Sequence, residues 1–110
     1  MGYDPATYEV YYLTSSQKYK DNIKNLKRNF DDVLKLRSVE YNFKETNEQH
    51  IGLISEEVYD VNKELASLNS QTKEPAAINW FNIILYQNEI IKRHDKELKE
   101  LRNEIEILKK

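Results

Sequence analysis

From Asn79 onward, mostly apolar positions recur every seven residues. Ile84, Ile91, Leu98 and Ile105 form one series; Gln87, His94, Leu101 and Leu108 form a second, offset by three. This is an a/d heptad pattern sustained over four repeats. Glu97 and Glu104 fall at g, and Arg102 and Lys109 fall at e five residues later. In a parallel coiled coil these are interchain ion pairs. A helix from Asn79 to Lys110 would be roughly 45 Å long at 1.5 Å per residue. A small domain cannot cover such a stripe, so the pattern predicts oligomerisation. Gln87 and His94 would form polar core layers, which set register at some cost in stability. A ring that binds an anion or water is the rival reading of these two positions. The heptads alone do not separate two strands from three.

Upstream, the periods alternate. Tyr8, Val10 and Tyr12 read as a strand, residues 15–19 as a polar turn, and the stretch from about Lys20 to Leu36 as a helix. That helix would place Ile23, Leu26, Phe30, Val33 and Leu34 on one face. Val39–Phe43 and His50–Ile54 alternate again and suggest a hairpin. Ser55 is a candidate N-cap for a second helix carrying Val58, Val61, Leu65 and Leu68. Asn69 to Glu74 reads as a polar linker, and Pro75 as a break.

Composition narrows the function classes. The 110 residues suffice for one small domain with a modest core. Charged residues make up 33% and mean hydropathy is −0.83, so much of the chain is solvated or is covered by partner copies. With no cysteine, disulfides and thiolate metal sites are excluded. His94 has no second ligand nearby, and His50 reads as a surface residue, so no metal and no cofactor is expected. No apolar run approaches a membrane span, no signal peptide is visible, and no membrane partner is expected. Net charge is −2, which gives no general reason to expect nucleic acid. Residues 18–37 do carry a local excess of +4. A basic region running directly into a zipper would suggest a coiled-coil DNA binder. Here about forty residues and two strands separate the two, so a solvated face or pairing with another subunit is the better reading. The tyrosines Tyr3, Tyr8, Tyr11 and Tyr12 are better explained by strand packing than by base stacking.

Chemistry is suggested by Ser15 and Lys20. A serine hydroxyl becomes a nucleophile when a base takes its proton, and a lysine held neutral can be that base. On spacing alone the pair is weak, and Ser16 is a rival nucleophile.

Four segments in order resemble one family, the C-terminal intramolecular chaperone (peptidase S74-like) domain of endosialidases, phage tail fibres and neck appendages. They are Ser15-Ser16-Gln17-Lys18-Tyr19-Lys20-Asp21-Asn22-Ile23, Val39-Glu40-Tyr41-Asn42-Phe43-Lys44, Ile51-Gly52-Leu53-Ile54-Ser55-Glu56-Glu57-Val58 and Ala77-Ile78-Asn79-Trp80. Three departures stand out: Ser16 and Asn79 replace the usual Asp, and Asn62-Lys63 replaces a usual Leu-Pro. The last is expected to alter a loop only.

The resemblance implies an α+β fold. A small helix–hairpin–helix globular part over residues 15–78 would precede a long helix over 79–110 that forms a parallel trimeric coiled coil. It implies a homotrimer that assists folding of an upstream β-structured viral fibre segment of the same polypeptide. The domain would then release itself as a single-turnover serine endopeptidase. Ser15 would be the nucleophile, Lys20 the base and Thr14–Ser15 the cut bond. Residues 1–14 would be the end of the fibre. Assembly would take place in the host cytoplasm, with the chaperone absent from the mature virion fibre. The alternative is a structural trimerisation module that never cuts.

Overall fold

The computed structural model describes residues 15–110. The expected strand at Tyr8–Tyr12 and the residue Thr14 lie outside the described residues. The elements are a 3-10 turn at Gln17–Tyr19, a second at Phe30–Lys35, strands β1 (Val39–Asn42) and β2 (Gln49–Gly52), and helix α1 (Ser55–Val61). A third 3-10 turn at Lys63–Leu65 follows, then strands β3 (Ala66–Leu68) and β4 (Pro75–Ile78) and helix α2 (Trp80–Lys109).

The long helix was legible almost to the residue. Asn79 is its N-cap, with the side-chain oxygen accepting from Asn82 N at 3.1 Å. Asn caps as well as Asp does, so this departure from the family pattern leaves the helix start intact. The first hairpin is also as expected. β1 and β2 pair antiparallel with Val39 opposite Gly52 and Tyr41 opposite His50.

The helix expected over Lys20–Leu36 is not formed. Residues 20–29 run irregularly and exposed, with Asn22 in the left-handed region at φ 54°. Asn at 22, 25 and 29 is a poor helix former. Asn29 instead turns its side chain to Asp32 Oδ1 at 3.3 Å, and only a 3-10 turn follows. Phe30 and Val33 still reach the core, whereas Ile23 and Leu34 stay exposed.

The second helix is shorter than expected. It stops at Val61 because Asn62 is extended (φ −163°, ψ 118°) and caps the next turn, accepting from Glu64 N at 2.8 Å. Leu65 and Leu68 therefore lie beyond it. The expected linker is the loop of a second hairpin. β3 and β4 pair antiparallel, with Ala66 opposite Ile78. Asn69 closes that loop: its side chain accepts from Gln71 N at 2.8 Å and Thr72 N at 3.0 Å. Pro75 opens β4 rather than merely breaking the chain. Ser55 is the first helical residue, and Ile54 holds the cap position. The globular part is therefore two hairpins around a short helix, not helix–hairpin–helix.

The core is small. Val33, Val58, Leu65, Ile83, Tyr86 and Ile90 are buried together, and Phe30 meets Tyr86 edge-on with ring centroids 5.3 Å apart. Leu65 is fully buried among these side chains. Leu65→Ala should therefore destabilise the domain by about 2–5 kcal/mol through lost burial and the cavity left behind. Urea unfolding followed by circular dichroism measures this, and a loss under 1 kcal/mol would contradict the packing described.

Candidate functional site

The segment carrying the expected site is an arm. Ser16 caps the first 3-10 turn, with Oγ 3.5 Å from Lys18 N. Two backbone bonds of 3.1 Å, Tyr19 N to Ser16 O and Lys20 N to Gln17 O, close the turn. Ser supplies the capping oxygen that Asp would supply there. Ser15 precedes the turn, Lys20 follows it in extended conformation, and both are exposed. Ser16, Lys20, Asn22 and Ile23 line an open concavity of about 550 Å³, and Ser15 is not part of its lining. The turn thus puts the two residues on either side of one bend. Among the described residues, no hydrogen bond joins them.

The arm is tied down at its C-terminal end by a polar cluster that pattern reading did not reveal. Arg28 Nε donates to both oxygens of Glu64, at 3.0 and 3.3 Å. Tyr86 Oη, deep in the core, donates to Glu64 Oε1 at 2.5 Å. Asn62 Nδ2 donates to Tyr86 Oη at 3.1 Å and to Asp32 Oδ2 at 3.0 Å. Asp32 is buried and also receives Lys35 Nζ at 3.3 Å. Asn82 Nδ2 donates to the Glu64 carbonyl at 2.8 Å. One cluster therefore joins the arm, the 3-10 turn at Phe30–Lys35, the end of α1 and the first turns of α2. Position 62 is its hub, so the Asn62-Lys63 departure changes the core and not merely a loop. The only hint in the sequence was polar residues interleaved with core positions.

Three of the seven basic residues of 18–37 form ion pairs within the chain. Arg28 pairs with Glu64 and Lys35 with Asp32; Arg37 pairs with Glu57 at 2.6 Å, and Arg93 of α2 pairs with Asp31. Among the described residues, Lys18, Lys20, Lys24 and Lys27 form no ion pair, so these four carry the local positive charge.

On α2 the structure separates two faces. Ile83, Tyr86 and Ile90 are buried against the domain. All eight heptad core positions, Ile84, Gln87, Ile91, His94, Leu98, Leu101, Ile105 and Leu108, lie on the exposed side. Leu98 is 54% and Leu108 84% exposed. No group of three or more metal-binding side chains occurs among the described residues, and no helix there is long and apolar enough to cross a membrane.

These features define a class: a small α+β domain with an exposed N-terminal arm and a projecting helix whose apolar stripe is uncovered. Residues 15–67 match the family model described as chaperone of endosialidase (Peptidase_S74), which supports the resemblance to that family. The match begins at Ser15 and ends within β3, before α2. No curated protein matches the chain.

The Tyr86–Glu64–Arg28 contacts carry a pH signature. The bonds from Tyr86 and Arg28 hold the Glu64 carboxyl below its ordinary value of 4.5. Burial, together with Glu64, holds the Tyr86 hydroxyl above its ordinary 10.0. Glu64 thus contributes stability above pH 4.5 that is lost as pH falls from there through the folded value. Tyr86 contributes stability below pH 10.0 that is lost as pH rises through its folded value. The exposed pairs Arg93–Asp31 and Arg37–Glu57 add to the acid limb, screened by salt. The thermal midpoint measured against pH should fall on both sides. Glu64→Gln should make the acid limb shallower; an unchanged acid slope would remove Glu64 from the linkage.

Proposed function

We propose that this chain is a trimerising intramolecular chaperone that assists folding of an upstream β-structured fibre segment and then cuts itself free between Thr14 and Ser15. The observation that carries the reading is the uncovered heptad stripe of α2. Leucines and isoleucines left in water over four repeats favour association at about 25 cal/mol per Å² of apolar surface buried. A parallel three-stranded coiled coil covers all of them at once, and the family match supplies the chaperone role.

For release, Ser15 Oγ adds to the Thr14 carbonyl carbon as Lys20 Nζ takes its proton. The Thr14–Ser15 C–N bond breaks, the Ser15 nitrogen leaves as an amine, and Thr14 is left as an ester on Ser15 Oγ. Water then hydrolyses the ester. The amine at position 20 must be neutral for this. Partner copies packed over the arm would supply the desolvation, so assembly would come before cutting. The exposure of Ser15 and Lys20, with no bond between them, gives the non-cleaving trimerisation module its support.

Intact mass followed over time separates the two readings. The parent should lose residues 1–14, Ser15→Ala should stay whole, and Lys20→Ala should slow by roughly 10²–10⁴-fold, as for loss of a general base. If all three stay whole while sedimenting as trimers, the non-cleaving module is correct. Leu98→Asp with Leu101→Asp should abolish both assembly and cutting. Full-rate cleavage by that monomer would overturn the assembly-first order.

A further inference from the structure

A groove of about 520 Å³ lies between the first hairpin and the start of α2. Val39, Ile51 and Leu53 form one side, and Trp80, Ile83 and Gln87 form the other. In the heptad register Trp80 and Gln87 are d positions, and Ile83 is a g position. The groove therefore opens on the d–g flank of the helix. On the opposite flank, at e, stands Phe81, 69% exposed. The later e positions Asn88, Asp95, Arg102 and Lys109 are all polar.

In any parallel coiled coil the e flank of one helix faces the g flank of its neighbour. Symmetric copies of one residue also lie at one height along the axis. Phe81 of a neighbouring copy thus arrives beside the d residue Trp80, at the level of the groove. We propose that each groove is filled by Phe81 of the adjacent subunit, so that the hairpin of one chain clamps the helix of the next. The proposal rests on the parallel coiled-coil reading and adds a lateral contact that the heptad core does not supply. It also gives the thin hairpin, whose Ile51 is 80% exposed, an apolar surface to rest on. A two-stranded ribbon gains little stability alone.

The single tryptophan reports on this contact. Phe81→Ala should leave the protein trimeric and shift Trp80 emission to the red, with easier quenching by acrylamide. The same substitution in the Leu98→Asp, Leu101→Asp monomer should leave the emission unmoved. Because the chain has no cysteine, Phe81→Cys with Ile51→Cys offers a second readout that does not depend on the alanine variant folding. Mild oxidation should give covalent dimers and trimers that neither single variant gives. A Phe81→Ala trimer with unchanged Trp80 emission, or a trimeric cysteine pair with no interchain product, overturns the clamp and leaves the coiled coil standing. A parent that sediments as a monomer overturns both.

Discussion

A helix of thirty residues can bury only its first turns against a body this small. Three side chains, Ile83, Tyr86 and Ile90, dock on the domain, and beyond Ile90 every residue of α2 is exposed. The rest of the architecture follows from this mismatch. The docked turns organise the two hairpins and α1, while the undocked turns present apolar residues to water in a repeat that, on the proposed reading, another copy of the same helix would cover. On that reading, folding of the body and association of chains would use two faces of one element.

The polar cluster under the docked turns explains why the body holds a defined geometry with so few core residues. Asp32 and Tyr86 are buried, and the half-buried Asn62 and Glu64 bond to them at the edge of the core. Buried polar groups stabilise only when each finds a partner, and among the described residues no buried side-chain polar atom lacks one. The cluster fixes direction in a way that apolar contact does not: Tyr86 Oη points at Glu64, and Glu64 points at Arg28. Helix, loop and arm thus keep one relative placement.

The legible parts of the fold were those with strong periodicity and few competing side-chain bonds. The heptads of α2 and the alternation in β1 are of that kind. The segment Lys20–Leu36 had a convincing helical stripe, yet Asn22 and Asn29 found better local conformations, and of its apolar residues Phe30, Val33 and Leu36 pack on the core. Leu65 fits the stripe of α1 just as well, but Asn62 breaks the helix before it. The side chain of Asn62 bonds to Asp32, thirty residues earlier, and to Tyr86, twenty-four later, and no local window contains all three. The Ser15–Lys20 pair was visible as chemistry and as a family segment. The placement of the two residues on either side of one exposed bend was not, because that bend rests on the local bonds of Ser16 and Gln17 and not on any periodicity.

That last point bears on how release would be controlled. A dyad preassembled in the monomer would cut as soon as the chain left the ribosome and would discard the chaperone before any fibre had wound. A dyad on an exposed arm avoids this by default. Among the described residues the first ion pair that ties the arm to the body lies beyond Lys27, where Arg28 meets Glu64, and Ile23 is exposed. Burying Ile23 requires another surface, and a surface that covers Ile23 also takes water away from Lys20, three residues before it. The apolar residue that would reward assembly and the amine that would need desolvation lie three residues apart on one segment. On the proposed reading, the free energy of association itself prepares the base, and no separate trigger is required for cutting to wait until the trimer exists.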